Sequence, residues 1–481
     1  MTENNVAAKA LKLNNASYAQ SKDFVEKLAK EMAHGTFHHH FHIIWPLLEA
    51  VGGTTYLEIG CFAGASLITA WQCKTLQRAF AIDTFAVLSE QMRLVQKNLQ
   101  DFATNDAHPR TKLISGSSHD LKIVTQVYRA MLEDPGFLGI DLLFIDGDPS
   151  RKGVLQDYVY FEPLVRPGGL ILFDDYADAK HSPQVRVAVD EIVESFAAQN
   201  NNFKVIGQPQ NTVEAFGNGL QGVLSNEFII QREQLSAVDQ TKAKYIVCVA
   251  TYCRSNGSSN RHMRNLLQNI QSQSIDDWFL IVVGDNYTNR TEFEDFKKLI
   301  PREKSVFINL PAAGERDDPA FVTKYGKKQL WLSGGTLAVN FGLMLCQRMR
   351  HDCVYVHADD DDSWNDDHLA TLDFVYNAKA DASFVWTMGL CGHSNKVLPS
   401  RHAPAKTGNV FVPEMPLRGQ TLHSAVSWRV QHFPLRYRVA PNWPSDGDLW
   451  RRMAQHMRQK GLKSYLAKHI TTNHPTENVQ Q

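Results

Sequence analysis

The 481-residue sequence has no long apolar run, no excess of charge of one sign and no paired cysteine motif. Without an apolar run of about 20 residues no membrane-spanning helix is predicted, and no signal peptide opens the chain. The net charge of −1 gives no field that would attract nucleic acid or an anionic membrane. The seven cysteines are odd in number and scattered, which predicts a reducing, cytoplasmic location and no zinc-type site.

The length and composition predict a globular protein with more than one domain. Apolar residues make up 43% of the chain and charged residues 21%, which are globular values. A chain of 481 residues is too long for one ordinary domain. The stretch from Arg232 to Lys244 is polar and lacks apolar periodicity, so the boundary is predicted there. The predicted domains are residues 1–235 and 243–481.

A strand, a glycine turn and a helix start follow one another early in the first half. The turn contains Gly60 and Gly64, and glycines there let the backbone approach a ligand that the helix amides face. Glu58 precedes the first glycine by two residues. A second strand ends in Asp83 about 20 residues on, a position suited to a ribose diol. A nicotinamide-binding Rossmann unit is the competing interpretation, although its Gly-x-Gly-x-x-Gly motif is absent.

Two further strands predicted in the first half end in pairs of acids. Asp146 and Asp148 follow one apolar strand, and Asp174 and Asp175 follow another. Because the carboxyl ends of parallel strands lie together, these four carboxylates are expected to converge. Convergent carboxylates call for a divalent cation, which would lower the pKa of a bound sugar hydroxyl while a free carboxylate takes the proton. The alternative interpretation is that these acids only cap strand ends.

The first half resembles class I S-adenosylmethionine (SAM) methyltransferases, and in particular metal-dependent sugar O-methyltransferases of the macrocin type. The resemblance rests on the glycine turn, the strand ending in Asp83 and the two acidic strand ends. It implies a Rossmann-like sheet that closes with an antiparallel hairpin. The family usually follows its Asp-Gly-Asp with other residues than Pro149, a departure that bears on the acceptor contacts. By motif, the implied cofactor-binding residues are Glu58, Gly60, Gly64, Asp83 and Ser117, the metal ligands are Asp146, Asp174 and Asp175, and the general base is Asp148.

The second half contains an acidic run directly after an apolar segment. Residues 353–358 are rich in β-branched and aromatic side chains, which predicts a buried strand. Four consecutive carboxylates follow at 359–362, and Trp364 comes next but one. Mutual repulsion makes such a run costly at the edge of a core unless a cation neutralises it. Oxygen ligands suit Mg²⁺ or Mn²⁺, which also hold a diphosphate. A solvated acidic loop is the alternative interpretation.

This run resembles the metal-binding motif of GT-A-fold, family 2 glycosyltransferases, which often reads Leu-Asp-Asp-Asp-Asp-x-Trp. A strand ending in Thr251 to Arg254, a strand ending at Asp285 and a helix start at 444–448 are similar to other segments of that family. N-terminal helix capping is the alternative interpretation of the acids in the last segment. The implied nucleotide contacts are Thr251, Arg254, Asp285 and Asp359, and the metal ligands are Asp359, Asp361 and Asp362. Asp446 is the implied acceptor base with Asp448 as runner-up, His423 is a candidate for the acceptor site and His474 for the metal or diphosphate.

The sequence therefore predicts an α/β protein of two domains, a Rossmann-like SAM methyltransferase sheet followed by a GT-A nucleotide-sugar transferase fold. The predicted function is SAM-dependent O-methylation of a sugar hydroxyl plus metal-dependent glycosyl transfer from a nucleotide-sugar to a glycan or metabolite acceptor. The required cofactors are SAM and Mg²⁺ or Mn²⁺, with a nucleotide-sugar as donor. No nucleic-acid partner is expected, and a homo-oligomer is left open. One alternative is that the first domain only binds or scaffolds. Another is that the second domain binds glycan without transferring sugar.

Overall fold

The structure of this chain is a computed structural model. It describes residues 23–25, 27–28, 30–32, 41–87, 90–102, 109–199, 203–208, 226–233, 241–312, 314–316, 318–349, 352–392, 394–406, 409–439 and 443–475. Within these residues the chain divides into two compact units. The first unit takes in residues 1–124 and 139–235, and the second unit takes in residues 125–138 and 236–481. Each unit contains one β-sheet with helices, which confirms the predicted α/β class.

The sheet of the first unit is mostly parallel. Its strands run in the order β3-β2-β1-β4-β5-β7-β6. Strands β1 to β5 pair in parallel with their neighbours, and β7 is antiparallel to both β5 and β6. A parallel sheet that ends in an antiparallel hairpin is the Rossmann-like arrangement that the sequence predicted. The strands are β1 Thr55–Ile59, β2 Arg78–Asp83, β3 Arg110–Ser115, β4 Ile140–Ile145, β5 Val165–Phe173, β6 Phe203–Gly207 and β7 Phe228–Arg232.

Helices cover this sheet and explain why its central strands read as continuous apolar runs. Every residue of β1 and β4 is buried, as expected where both faces of a parallel sheet are covered. The helices of the N-terminal half are α1 Phe41–Ala50, α2 Ala65–Ala70, α3 Gln91–Asp101, α4 Leu121–Leu132, α5 Arg151–Phe161 and α6 Pro183–Gln199.

The sheet of the second unit is mixed. Its main path runs β10-β9-β8-β11-β16-β13-β17-β12, with β14 paired to β13 and β15 to β17. Strands β8 to β11 are parallel where they pair, and β16 is antiparallel to β11 and β13. The carboxyl ends of β8, β9 and β11 therefore meet at one edge. The strands are β8 Tyr245–Thr251, β9 Trp278–Gly284, β10 Ser305–Asn309, β11 Val354–Asp359, β12 Ser363–Trp364, β13 Ala382–Cys391, β14 Lys396–Leu398, β15 Phe411–Pro413, β16 Val426–Arg429 and β17 Lys463–His474.

The remaining helices belong to the C-terminal half. Among the helices that the structure describes, none combines the length and the apolar character that crossing a bilayer requires. The α-helices are α7 Ser259–Gln271, α8 Arg290–Lys297, α9 Pro319–Tyr325, α10 Lys327–Ser333, α11 Thr336–Arg348, α12 His368–Ala378 and α13 Ser445–Lys460. Short 3₁₀ turns lie at Glu162–Leu164, Arg302–Lys304, His423–Ala425 and Val430–His432.

Candidate functional site

The first unit contains a cavity of about 750 Å³ at the carboxyl ends of its parallel strands. The loops that follow β1, β2, β3, β4 and β5 all contribute to its lining, as expected for the ligand crevice of such a sheet. Segments that are far apart in the sequence thus meet around one space. The predicted site residues that line it are Gly60, Asp83, Ser117, Asp146, Asp148, Asp174 and Asp175.

The glycine turn after β1 is held by Asp83 at the end of β2. The Asp83 carboxylate accepts hydrogen bonds from the backbone amides of Cys61 and Phe62, both at 2.9 Å. Gly60 has a φ of 88°, and a Cβ there would lie 1.9 Å from the carbonyl oxygen of Asp146. Only glycine fits this contact, which brings the turn directly against the end of β4.

Two predicted cofactor residues, Glu58 and Gly64, do not line the cavity that the described residues enclose. Glu58 is fully buried and accepts a hydrogen bond of 2.8 Å from the hydroxyl of Tyr56. Gly64 has a φ of 88°, and a Cβ there would lie 3.2 Å from the side chain of Val95. Both residues therefore support the turn on the side away from the cavity, and neither is placed to touch a ligand in the cavity.

Asp146 after β4 and Asp174 after β5 form a pair of carboxyl groups, and Asp175 is the next residue after Asp174. The carboxyls of Asp146 and Asp174 are hydrogen-bonded to each other. Burial, followed by the nearby carboxyl of Asp174, raises the pKa of Asp146 well above its usual range. Asp175 has a φ of 56° and accepts a hydrogen bond of 2.8 Å from Ser182 Oγ. In the described part of the chain these three carboxylates do not form a group whose oxygens all lie within 4.8 Å. A cation between Asp146 and Asp174 would replace the proton that the pair otherwise shares.

Asp148 and an unpredicted histidine lie at the same cavity. Asp148 is exposed, and its Oδ1 accepts a hydrogen bond of 2.9 Å from the amide of Ser150, just before α5. His119 also lines the cavity, and its Nε2 lies 3.3 Å from Oδ1 of the buried Asp157. The hydrogen bond to Asp157 raises the pKa of His119. The only sequence signal for His119 was its position two residues after Ser117.

The second unit contains a cavity of about 820 Å³. The ends of β8, β9, β11 and β17 and the start of α13 contribute to it. The predicted residues that line it are Thr251, Arg254, Asp285, Asp359, Asp361, His423, Asp446 and His474. Two predicted residues, Asp362 and Asp448, are buried and do not belong to this lining in the described chain.

Asp360, which the sequence did not single out, holds two of the predicted nucleotide contacts. Its carboxylate accepts a hydrogen bond of 2.7 Å from Thr251 Oγ1. Both terminal nitrogens of Arg254 donate to it, at 2.9 and 2.7 Å. Such bidentate pairing fixes the guanidinium rigidly. Arg254 and Thr251 are therefore positioned at the cavity through Asp360.

A second guanidinium lies near the end of β9. Arg316 donates a hydrogen bond to the buried carboxylate of Asp285 and lies 3.9 Å from the ring centroid of Tyr252. Arg254 lies 4.5 Å from the same centroid. Tyr252, Arg254 and Arg316 all line the cavity, so an aromatic ring and two guanidinium groups stand together beside Asp285. This combination offers stacking and polar contacts to a planar base.

The remaining acids after β11 separate into two groups. Asp361, Asp362 and His474 offer ligand atoms that all lie within 4.8 Å of one another. Burial, and then the nearby Asp360 and Asp362 carboxylates, raises the pKa of Asp361 to about 7. Although burial alone would lower it, the hydrogen bond to Asp362 raises the pKa of His474 to about 9. Two carboxylates and an imidazole suit a divalent cation such as Mn²⁺, and the repulsion around Asp361 is what such an ion would relieve.

Asp359 belongs to a different group, with two histidines. Its Oδ1 lies 3.0 Å from His357 Nε2 and 3.1 Å from His423 Nδ1. The hydroxyls of Tyr355 and Tyr437 lie 2.8 and 2.6 Å from the other ring nitrogens. Although burial alone would raise it, the histidines hold the pKa of Asp359 well below its usual range. The histidine rings are stacked at 3.6 Å with planes 25° apart, and one nitrogen of each ring lies within hydrogen-bond distance of the same Asp359 oxygen. We therefore interpret this group as a hydrogen-bonded network.

The two acids at the start of α13 have different surroundings. Asp446 lines the cavity and accepts a hydrogen bond of 2.6 Å from the amide of Gly447. Asp448 is 2% exposed and accepts hydrogen bonds from Arg438, Arg451 and Arg452. Although burial opposes this, the three arginines lower the pKa of Asp448 to about 2. This placement favours Asp446 over Asp448 as the group that reaches a ligand.

Two proteins of one virus are similar to part of this chain. A protein named as an uncharacterized glycosyltransferase of Acanthamoeba polyphaga mimivirus is 30% identical over 217 residues, which are 44% of this chain and 84% of the relative. An uncharacterized protein of the same virus is 36% identical over 213 residues, which are 43% of this chain and 92% of that relative.

Solved structures and a family profile give a second set of matches. An O-methyltransferase from Bacillus cereus in complex with SAH matches with a TM-score of 0.30 and 18% identity, covering 45% of this chain and 89% of the other. The O-methyltransferase TomG from Streptomyces achromogenes in complex with SAM matches with a TM-score of 0.31 and 15% identity, covering 45% and 89%. The profile described as a methyltransferase domain matches residues 57–176, the span from β1 to the end of the acidic pair after β5. The chain therefore belongs, over part of its length in each case, to the families of these two mimivirus proteins, and it carries a methyltransferase domain in its N-terminal half.

Proposed function

We propose that this protein is a bifunctional transferase, in which the first unit methylates an oxygen of a sugar and the second unit transfers a sugar from a nucleotide-sugar. The observation that carries the proposal is that each unit has its own cavity at the carboxyl ends of parallel strands, with its own set of carboxylates. The family profile supports the first activity, and the mimivirus relative named as a glycosyltransferase supports the second.

The first unit would bind SAM against the turn between β1 and α2. SAM, when bound, supplies an electrophilic methyl group. Asp83 orients the backbone amides of that turn and stands where a ribose diol would be received. Asp146 and Asp174 would hold a divalent cation together with the acceptor hydroxyl, and Asp175 is the third candidate ligand. Asp148 is the candidate base, and its exposure leaves one carboxylate oxygen accessible from the cavity.

Calorimetric titration of the full chain with SAM tests the first activity. Asp83→Asn keeps the side-chain size but removes the charge that orders the turn, so we expect SAM binding to weaken at least roughly tenfold. The matched control is Glu191→Gln, which removes a charge from an exposed pair with Arg151 away from the cavity. Absence of SAM binding in the unaltered protein, or equal binding by both variants, would contradict the proposal.

One observation supports the alternative in which the first unit binds SAM without transferring the methyl group. The carboxylate of Asp148 accepts a hydrogen bond from the amide of Ser150, so one of its oxygens is used locally, and Pro149 lies between the two residues. Under this alternative SAM binding would depend on Asp83 as above. No methylated product would form with any sugar acceptor, and Asp148→Asn would leave SAM binding unchanged.

The second unit would bind a nucleotide-sugar whose base lies beside Tyr252 and Asp285. Asp361, Asp362 and His474 would hold a divalent cation, which neutralises the charge of the leaving diphosphate. Arg254, fixed by Asp360, adds a positive charge near the same group. Asp446 would take the proton of the attacking acceptor hydroxyl. The fold proposed for this unit is GT-A, which the order of β8, β9 and β11 in the sheet supports.

Release of nucleoside diphosphate from a panel of nucleotide-sugars in the presence of Mn²⁺ tests the second activity. We expect Asp361→Asn to reduce turnover by roughly a hundredfold or more. The substitution removes one of the proposed ligands of the cation that neutralises the leaving diphosphate. Asp367→Asn is the matched control, since Asp367 lies on the surface in a pair with His469. If no nucleotide-sugar is turned over, or if both variants lose the same activity, the proposal fails.

A further inference from the structure

The cationic side chains that line the second cavity are held in ion pairs, with one exception among the described residues. Arg254 pairs with Asp360, and Arg316 with Asp285. The two histidines of the lining are held likewise, His423 by Asp359 and His474 by Asp362. Arg418 also lines the cavity and is exposed, and it forms no ion pair with any residue that the structure describes. It is therefore the cation of this cavity that is available to an anionic ligand.

Contacts with the segment before and within α13 hold Arg418 in place. Its guanidinium carbon lies 4.4 Å from the ring centroid of Trp443. A Cβ at Gly447 would lie 3.2 Å from Cγ of Arg418, so the aliphatic stem packs over the first turn of α13. Asp446, the proposed acceptor base, is the neighbour of Gly447 and lines the same cavity. The cation and the proposed base therefore line the same cavity without forming an ion pair with each other.

Trp443 adds an apolar surface to this group. Its side chain is 39% exposed, which is unusual for a large aromatic residue, and it directly precedes the cavity-lining Pro444. An exposed aromatic ring offers a flat apolar surface against which the C–H face of a pyranose can pack. A cation beside such a ring suits a ligand that is both a saccharide and an anion.

We propose that Arg418 and Trp443 form an acceptor subsite for an anionic saccharide, one that carries a carboxylate or a phosphate near its attacking hydroxyl. This inference rests on the proposed glycosyl transfer by the second unit. The anionic group binds the guanidinium of Arg418, and the hydroxyl then lies toward Asp446. The described contacts of Arg418 are with 443–447 and not with Asp361, Asp362 or His474, which favours the acceptor over the diphosphate of the donor as the bound anion.

Binding of three saccharide probes to the full chain tests the subsite. Methyl β-glucuronide carries a carboxylate, glucose 6-phosphate carries a phosphate and methyl β-glucoside carries neither, and ligand-observed NMR in the presence of Mn²⁺ and UDP compares them. We expect at least one acidic probe to bind roughly tenfold more tightly than the neutral one, as one charge-assisted contact allows. The acidic probe that binds more tightly than the neutral probe identifies the preferred anion as a carboxylate or a phosphate.

Variants make the test specific to this side chain. Arg418→Gln should remove the preference for the acidic probe and leave the thermal unfolding midpoint unchanged, and Arg418→Lys should keep part of the preference. Arg401→Gln is the matched control, because Arg401 is an exposed arginine paired with Glu414 away from the cavity lining. Equal affinity for acidic and neutral probes overturns the subsite, as does failure of both acidic probes to bind.

A parallel titration separates this inference from the proposed function. UDP, GDP and ADP are titrated with Mn²⁺ into the unaltered protein and into Arg418→Gln. If Arg418→Gln weakens nucleoside diphosphate binding as strongly as acidic saccharide binding, the cation belongs to the donor and the acceptor subsite is wrong. If no nucleoside diphosphate binds to the unaltered protein, the proposed function itself fails. Intact diphosphate binding with lost saccharide preference supports the subsite.

Discussion

The environment of Asp448 allows a worked prediction about stability. Asp448→Asn removes a buried carboxylate that accepts hydrogen bonds from three arginines. The three arginines lower the pKa of Asp448 to about 2, against about 3.9 for an unperturbed Asp, and each pKa unit corresponds to about 1.4 kcal/mol. Arg438 and Arg451 are 50% and 55% exposed, so water screens their share, while Arg452 is 16% exposed. We therefore expect the substitution to lower the free energy of unfolding by roughly 2 kcal/mol at pH 7.

The pH dependence of this effect follows from the direction of the shift. Because the pKa of Asp448 is lower in the folded protein, its contribution is fully present above the unfolded pKa of about 3.9. The contribution is lost as the pH falls through about 2. The difference in stability between the unaltered protein and Asp448→Asn should thus stay constant from about pH 5 to 8 and shrink below about pH 4.

Urea unfolding of the full chain, followed by tryptophan fluorescence, measures this difference. The chain has nine tryptophans, of which Trp45 and Trp71 lie in the first unit and the other seven lie between 278 and 450, so the signal reports mainly on the second unit. Asp446→Asn is the control, because Asp446 accepts no arginine hydrogen bond among the described residues and should change stability by less than about 0.5 kcal/mol. If Asp448→Asn unfolds at the same urea concentration as the unaltered protein, or if Asp446→Asn is equally destabilised, the reasoning is refuted.

Three further predictions address the two cavities. Gly60→Ala places a Cβ 1.9 Å from the carbonyl oxygen of Asp146 and should abolish SAM binding measured by calorimetry; retained affinity would show that the turn can move. Asp360→Asn breaks a buried pair with Arg254 and should lower the unfolding free energy by roughly 3 kcal/mol in urea titration, and a neutral effect would contradict the pairing. His474→Leu should remove the rise in the thermal unfolding midpoint that Mn²⁺ produces, whereas His469→Leu, at a partly buried position outside the cavity lining, should retain it, and a full rise in both variants would exclude His474 as a ligand.

The strands and the positions of their loop residues could be predicted from the sequence because the parallel sheets are covered on both faces. Continuous apolar runs such as β1, β4 and β9 are readable for that reason. Once the strands are known, the topology brings their ends to one edge. This is why Asp83, Asp146 and Asp174 line one cavity, although they come from three separate segments.

The role of each acid within a cluster could not be predicted in the same way. Asp446 and Asp448 are two positions apart on a helix, where successive residues turn by about 100°, so their side chains leave on nearly opposite faces. Arg451 and Arg452 lie three and four positions after Asp448, so their pairing with it follows the helical spacing, whereas Arg438 reaches it from the segment before the helix. The partition of Asp359, Asp360 and Asp361 among histidines, Arg254 and His474 likewise depends on contacts across the fold that no local pattern encodes.

The close approach of Gly60 to the end of β4 limits which substitutions this region can accept during evolution. The turn and the strand end touch through bare backbone, with no side chain between them that could be exchanged to absorb a shift. A mutation that displaces either segment therefore displaces the other, and with it Asp146. Substitutions elsewhere in the two segments would be tolerated only in compensating combinations, and natural variants of this region should be fewer than its surface position suggests.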